Sequence, residues 1–302
     1  MLDVLIIGGS NAGLSAALVL GRARRRVLVL DHGQPRNAPS AHVQGFFTRD
    51  GTPPAELRRI AHEQLRPYTT VTTKTDTALT AQRAEAGFVV TTHSGNTYHA
   101  RMLLLATGVH DELLPIPGLA ERWGRHVLHC PYCHGWEVRE RRLAVLANAP
   151  WATEYALTIR GWSDAVTLLT NGPITLDAND RQRLVRHGVA LDERPLAALS
   201  DDAEGLVRVQ FTDGATDDYA ALFHRPRQRQ ASDLAQQLGC ALDVPFPGVE
   251  LIQVDAMGQT SIPGVYAAGD ATTLMQQAIV AASAGMIAAS TINRALLLAD
   301  FA

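Results

Sequence analysis

The residues best suited to chemistry are a pair of cysteines, Cys130 and Cys133, followed directly by His134. Two intervening residues let both sulfurs meet across one helical turn. A helix N-terminus with an adjacent histidine lowers a thiol pKa, so that a thiolate exists near neutral pH. Pro131 fits the first turn of such a helix, because its missing N–H would have no partner there. The pattern indicates thiol–disulfide redox chemistry.

Two other interpretations of the cysteine pair stay open at this point. A zinc site would need a second pair of ligands, although His129 and His134 are close in the sequence. The two thiols could also be a reduced, purely structural pair. We favour redox chemistry because the motif lies between two nucleotide-binding-like segments, and we expect no metal. Cys240 has no partner in the sequence and is expected to be a buried small residue.

The start of the chain has the pattern of a dinucleotide-binding turn. An apolar run over residues 2–7 precedes GGSNAG, a helical pattern and a second apolar run that ends in Asp31. This strand–turn–helix–strand order opens a doubly wound parallel sheet. Glycines let the backbone approach a pyrophosphate at the helix N-terminus, and the aspartate accepts hydrogen bonds from a ribose. An ordinary tight turn with a surface aspartate is the alternative. The expected contact residues are Gly8, Gly9, Ser10, Ala12, Gly13 and Asp31.

The rest of the chain predicts further strands, a second α/β unit and a long helix. Residues 69–99 alternate in polarity, which indicates an antiparallel meander. A strand over 143–146, a helix over 152–161 and a strand over 165–170 repeat the order of the first unit, as an internal pseudo-repeat. An alanine-rich helix over about 276–297 has apolar residues on nearly every face, and we expect it to be buried.

Three motifs in this order carry a resemblance to a known family. They are GGSNAG at 8–13, Ala-Thr-Gly at 106–108 and GVYAAGD at 264–270. Together they resemble the flavoproteins of the low-molecular-weight thioredoxin reductase family, over essentially the whole chain. The resemblance implies FAD as the cofactor and an α/β fold of two Rossmann-like three-layer domains, the second inserted into the first.

The resemblance also implies domain ranges. Residues 1–116 and 246–302 would form a discontinuous FAD-binding domain. Residues 117–245 would form a degenerate NAD(P)-binding-like domain that carries the cysteine pair.

The same resemblance implies cofactor contacts beyond the first turn. Asp270 would hold the ribityl and pyrophosphate end of FAD, and backbone N–H groups at the start of the last helix would polarise the flavin pyrimidine edge. The loop after Asp31 falls where the family covers the isoalloxazine, with a plain surface loop as the alternative. The additional cofactor residues are Arg36, Asn37, His42, Thr107, Gly108, Gly269, Asp270, Gln277 and Ala278.

For the cysteine pair, the resemblance implies a division of roles. Cys133 would lie nearest the flavin C4a as the charge-transfer thiolate, and Cys130 would exchange with substrate. The family has an aspartate as acid/base after the second cysteine, where this chain has His134. We expect this histidine to shuttle the proton, with Glu137 setting its pKa. A surface histidine that caps the motif is the alternative.

The second nucleotide site of the family is degenerate in this chain. The turn at 147–152 reads Ala-Asn-Ala-Pro-Trp-Ala and has no glycine, and the bulky Trp151 stands where a helix N-terminus should face a pyrophosphate. Residues 170–173 contain no cation, where the family has a His-Arg-Arg cluster for the NADP 2′-phosphate. These changes together argue against NADPH as the electron donor.

Three functions are compatible with these features. The Cys-Pro-Tyr-Cys-His-Gly motif with a degenerate second site resembles the gliotoxin- and holomycin-type dithiol oxidases, in which O₂ takes the electrons. Ferredoxin-dependent thioredoxin reductases also lack the nucleotide motifs. His134 favours the oxidase, because oxidising a dithiol needs a general base near neutral pH. A non-catalytic flavin-binding redox sensor is the third interpretation.

Composition restricts the partners. A net charge of −3 gives no support to nucleic-acid binding. No segment is expected to reach the ~20 apolar residues of a membrane span, and no signal peptide is recognised, so we expect a cytoplasmic enzyme. The expected partners are a small-molecule dithiol or disulfide or a thioredoxin-like protein, with O₂ or ferredoxin as the electron partner. A homodimer is expected from the resemblance.

Overall fold

The computed structural model describes residues 1–201 and 205–301 of the chain, which divide into two units. Ala302, with which the predicted FAD-binding range ends, lies outside the described residues. The first unit comprises Met1–Ala38, Gly45–Asp111 and Arg227–Ala302. The second comprises Pro39–Gln44 and Glu112–Pro226.

The helices and strands follow one another in three stretches of chain. The N-terminal stretch contains β1 (Leu2–Ile7), α1 (Asn11–Arg22), β2 (Val27–Asp31), α2 (Pro54–Leu65), β3 (Val71–Thr75), β4 (Ala78–Ala84), β5 (Gly87–Thr92), β6 (Thr97–Leu105) and β7 (Val109–Glu112). The middle stretch contains α3 (Leu119–Arg122), β8 (Val127–Leu128), α4 (Pro131–His134), β9 (Leu143–Leu146), α5 (Ala152–Ile159), β10 (Val166–Leu169), α6 (Ala178–Arg186), β11 (Val189–Asp192), β12 (Leu196–Asp201), β13 (Val207–Phe211), β14 (Thr216–Tyr219) and β15 (Ala221–His224). The last stretch contains β16 (Arg227–Gln230), α7 (Leu234–Gln237), β17 (Leu242–Phe246), β18 (Val249–Ile252), β19 (Val265–Ala267), a 3-10 turn (Asp270–Thr272) and α8 (Ala278–Asp300).

The main sheet of the first unit has the strand order β3-β2-β1-β6-β5-β4, with β19 also paired to β6. Strands β1, β2, β3, β6 and β19 run parallel, and β4 and β5 add to β6 in antiparallel pairs. The predicted meander over 69–99 is therefore confirmed for β4, β5 and β6 and wrong for β3. Edge strand β3 is exposed along most of its length, so its sequence lacks the continuous apolar run of a central parallel strand.

Helix α8 packs on α1 through a stripe of small residues. A Cβ added to Gly285 would lie 2.0 Å from the Ala12 carbonyl oxygen, so the two helix backbones approach closely at this point. The opposite face is exposed at Met286 and Leu298. The prediction that α8 is buried is therefore confirmed on one side of the helix only, which contains Ala281, Gly285, Ala288, Ala289, Ile292 and Leu296.

By length and composition, α8 is also the one helix in residues 1–201 and 205–301 that could cross a membrane, with 33% of its most apolar window buried inside the protein. The expectation that no segment is long and apolar enough to span a membrane is therefore wrong for α8, by length and composition. A helix that packs in a protein core can have the same length and composition, and α8 packs on α1 in this way.

The second unit repeats the β–turn–α–β order of the first. Its parallel sheet has the order β11-β10-β9-β15-β8, and an antiparallel sheet β12-β13-β14 adds to the unit. Strands β9 and β10 pair in parallel from Leu143 and Val166 onward, with α5 between them in the chain. The predicted pseudo-repeat is confirmed in element order.

The boundary between the units differs from the predicted ranges in three stretches, residues 39–44, 112–116 and 227–245. Residues 227–245 belong to the first unit, because β16 joins a sheet of order β17-β18-β16-β7 whose other strands lie almost wholly in that unit. The short segment Pro39–Gln44 packs instead with the second unit.

Candidate functional site

The glycine-rich turn after β1 is closed by backbone contacts that only glycine allows. Gly8 has a φ of +110°, and a Cβ on it would lie 2.0 Å from the Ala106 carbonyl oxygen. A Cβ on Gly13 would lie 1.8 Å from the Gly8 carbonyl oxygen. Ser10 is the N-cap of α1, and within the described part of the chain its side chain makes no capping hydrogen bond. The first-turn N–H groups of α1 therefore remain suited to a pyrophosphate.

At the end of β2, Asp31 lies against the same turn. A Cβ on Gly9 would lie 2.7 Å from the Asp31 Cβ, so the absence of a side chain there makes room for the carboxylate. The carboxylate forms an ion pair with Arg58 of α2, whose Nε is buried and has no hydrogen-bond partner among the described residues. An unpaired buried donor beside the predicted ribose acceptor fits the adenosine end of FAD.

Arg36 forms the centre of a polar cluster that includes Asp270, the residue predicted to hold the ribityl and pyrophosphate end of FAD. Its guanidinium donates to both Asp111 carboxylate oxygens at 2.7 Å, to Asp270 Oδ2 at 2.9 Å and to Gln276 Oε1 at 2.7 Å. Burial opposes its charge, but the hydrogen bonds and charges of the two aspartates raise the pKa of Arg36 above its usual value. Gln228 donates through Nε2 to Asp111 at 3.1 Å and completes the cluster.

The sequence did not identify four of the side chains just described. Arg58 and Asp111 carry no linear pattern, since each meets its partner only through the fold. Gln228 had one usable signal in the alternation of β16, where the buried Gln228 and Gln230 alternate with exposed arginines. Buried amides on one face of a strand must find polar partners, and such a face indicates a polar cluster.

The structure distributes the predicted cofactor residues unequally between the units. Gln277 is the N-cap of α8 and Ala278 its first residue, as expected for the start of the last helix. The Gly108 carbonyl accepts a hydrogen bond from Ala231 N at 3.2 Å, which fixes the strand end after β6. His42 is the exception, because it lies in Pro39–Gln44 of the second unit. The other predicted cofactor residues lie in the first unit: Gly8, Gly9, Ser10, Ala12, Gly13, Asp31, Arg36, Asn37, Thr107, Gly108, Gly269, Asp270, Gln277 and Ala278.

The cysteine pair lies at the N-terminus of the short helix α4. Cys130 is the N-cap, Pro131 is the first helical residue, and the two cysteines form a disulfide with a Cα–Cα distance of 5.3 Å. The helix end is packed tightly, because a Cβ on Gly135 would lie 2.8 Å from the indole ring of Trp162. The pair is thus held in a fixed turn and is already suited to accept two electrons from a dithiol.

His134, the last residue of α4, is partly buried. Burial lowers the pKa of its imidazole below the usual value, and the charge of Glu137 opposes this by raising it. The Glu137 carboxylate accepts a hydrogen bond from Gln44 Nε2 at 3.1 Å. A neutral imidazole next to the disulfide can accept a proton near neutral pH.

Two exposed aromatic residues stand close to the cysteines in the chain. Tyr132 is 70% exposed, and Trp136 is 66% exposed. The Tyr132 ring meets Trp162 edge-on at 5.3 Å between centroids, and the Arg139 guanidinium lies 3.7 Å from the centroid of Trp136. Rings held in this way offer apolar surface to a ligand.

The turn after β9 corresponds to the glycine-rich turn of the first unit but is filled by side chains. Trp151 is the N-cap of α5, and its ring meets the ring of buried Tyr155 edge-on at 5.9 Å. The Arg225 guanidinium lies 4.7 Å from the Tyr155 centroid and 5.9 Å from that of Trp151. Asn148 Nδ2 donates to the carbonyl oxygens of Thr170 and Pro173, which follow β10.

Comparisons with known proteins were made for the whole chain. Residues 2–285 match the sequence profile of the family described as pyridine nucleotide-disulphide oxidoreductase. The thioredoxin reductase sirT of Leptosphaeria maculans is 33% identical, over 99% of this chain and 96% of the relative.

Two solved structures share the fold over almost the full length. An oxidoreductase from Agrobacterium tumefaciens is 37% identical with a TM-score of 0.93, covering 98% of this chain and 99% of that one. The crystal structure of HlmI is 36% identical with a TM-score of 0.93, covering 99% and 94%. The predicted α/β fold of two Rossmann-like domains is confirmed by these likenesses.

Proposed function

The chain belongs to the pyridine nucleotide-disulphide oxidoreductase family and is an FAD-dependent disulfide oxidoreductase, and from this premise we propose that it is a dithiol oxidase that works without NADPH. The observation that carries the proposal is the filled turn after β9. A dinucleotide would need the space occupied by Trp151 and the backbone approach that glycine gives to the first unit's turn.

Thiol–disulfide exchange at the pair takes two steps. A substrate thiolate attacks Cys130 Sγ, the Cys130–Cys133 bond breaks, and the electron pair remains on Cys133 Sγ. The second substrate thiolate then attacks the mixed disulfide, and Cys130 leaves as a thiolate. The substrate is released as a disulfide, and the enzyme holds two electrons as a dithiol.

His134 supplies the proton transfers of this exchange. Its lowered pKa keeps the imidazole neutral near neutral pH, so it can take the proton of an incoming thiol and return it to a leaving thiolate. FAD, when bound, supplies the two-electron acceptor that O₂ reoxidises. Overall, one dithiol and one O₂ give one disulfide and one H₂O₂.

The surface around the pair supports a small apolar dithiol as substrate. Tyr132 and Trp136 are exposed and stand close to the cysteines in the chain, and rings held by neighbours bind an apolar molecule with little loss of side-chain entropy. The likeness to the thioredoxin reductase sirT supports thiol–disulfide exchange at the pair.

Anaerobic spectroscopy of the purified yellow protein tests this function. Dithiothreitol should bleach the flavin absorbance, NADPH should leave it unchanged, and admission of air should restore the colour once the dithiothreitol is consumed, with one H₂O₂ formed per dithiothreitol oxidised. Bleaching by micromolar NADPH would contradict the proposed loss of nucleotide binding. Reduction by reduced ferredoxin with slow recovery in air would indicate a ferredoxin-dependent reductase instead.

A further inference from the structure

Tyr155 connects the filled turn of the second unit to the backbone next to the reactive cysteines. Its hydroxyl donates a hydrogen bond to the His129 carbonyl oxygen at 2.8 Å. His129 directly precedes Cys130, the N-cap of α4. The peptide group that leads into the exchange cysteine is therefore held from α5.

The donor in this contact is fixed in place and in protonation state. Tyr155 is 3% exposed, with the Trp151 ring against its edge and the Arg225 guanidinium over its face. Burial raises the pKa of the Tyr155 hydroxyl, so it remains a proton donor through the range in which thiols titrate. The hydroxyl therefore has one steady partner, the His129 carbonyl.

We propose that Tyr155 is a positioning residue for thiol–disulfide exchange, which holds the His129 carbonyl so that Cys130 keeps its place as N-cap of α4. This inference rests on the proposed function of the pair. Trp151 and Arg225, which lie at the degenerate nucleotide turn, would then serve the cysteine pair indirectly. They hold the Tyr155 ring, whose hydroxyl contacts the His129 carbonyl.

The physical effect follows from charge. When the exchange step releases Cys130 as a thiolate, negative charge develops on a sulfur adjacent to the His129 peptide group. A hydrogen bond from Tyr155 withdraws electron density from the carbonyl oxygen and fixes its direction. The turn between the two cysteines closes directly after this peptide group, because Cys133 N donates to the Cys130 carbonyl oxygen at 3.2 Å.

The test compares Tyr155→Phe with Tyr219→Phe. Both rings are buried in the second unit, and each lies under an arginine, because the Arg142 guanidinium is 4.5 Å from the Tyr219 centroid. Two readouts apply: the rate of flavin bleaching by dithiothreitol, and the pH dependence of alkylation of the reduced protein by iodoacetamide. Y155F should slow bleaching about two- to tenfold, the value of one lost hydrogen bond, and raise the pKa of the alkylated thiol. Y219F should match the wild type in both.

A second variant distinguishes the positioning role of Tyr155 from a general effect on folding. Arg225→Gln keeps the Tyr155 hydroxyl but removes the cation over its ring, and it should shift both readouts in the same direction by a smaller factor. Wild-type rates and pH profiles in Y155F would overturn the inference, as would equal losses in Y155F and Y219F. The alkylation profile reads the pair directly, so it decides the inference even if dithiol turnover itself is absent and the proposed function fails.

Discussion

Replacing Gly13 with alanine should weaken FAD binding strongly. The new Cβ would lie 1.8 Å from the Gly8 carbonyl oxygen, whereas an ordinary carbon–oxygen contact is about 3.3 Å. The turn and helix α1 would have to separate by roughly 1.5 Å. The apoprotein can open the turn, but a pyrophosphate needs it closed on the helix N-terminus, so the strain appears in the binding free energy.

The size of the effect follows from the cost of overpacking. A misplaced methyl group in a close-packed site costs about 1–3 kcal/mol. Since about 1.4 kcal/mol corresponds to tenfold in affinity, G13A should raise the Kd for FAD by about 5- to 150-fold. Quenching of FAD fluorescence on titration of the apoprotein measures this directly.

Gly21→Ala is the matched control because it lies in the same helix. Its Cβ would meet side-chain atoms of Val71 and Tyr68 at 2.8 and 3.0 Å, at the end of α1 away from the turn. Any change that it makes should appear in thermal stability rather than in FAD affinity. If G13A bound FAD as tightly as the wild type, the assignment of this turn to the pyrophosphate would be refuted.

Two more predictions concern charge. Glu137→Gln removes the charge that raises the pKa of His134, so the acidic limb of the dithiol oxidation profile should move to lower pH, and only slightly because the carboxylate is exposed. A shift to higher pH would be inconsistent with His134 as the base. Arg36→Met leaves the buried Asp111 carboxylate without its cation and should lower the free energy of unfolding by about 3 kcal/mol in urea titrations. Arg59→Met, which breaks only surface pairs, should lower the free energy of unfolding much less, and equal losses in the two variants would contradict the importance of the cluster.

Local sequence patterns were sufficient for the elements whose signals are contiguous. The apolar run of β1, the glycines of the first turn and Pro131 after Cys130 each determine a neighbouring backbone conformation, and each lies where it was predicted. The same holds for β9, whose bounds coincide with the predicted ones.

Features that depend on distant partners could not be obtained in this way. Arg58 meets Asp31 across 27 residues, and Arg36 meets Asp270 across 234, so no spacing rule connects them. The exposed side of α8 was missed for a related reason. An alanine-rich helix shows little contrast between its faces, and only the position of α1 decides which of them is covered.

In the proposed reaction, the electrons of a dithiol pass through the Cys130–Cys133 pair. Anaerobic bleaching of the flavin by dithiothreitol in Cys133→Ser tests it most directly, with Cys240→Ser as the control for loss of a buried cysteine outside the pair. Bleaching should be rapid in the wild type and C240S, and absent in C133S despite normal FAD content. Bleaching of C133S at the wild-type rate would contradict it.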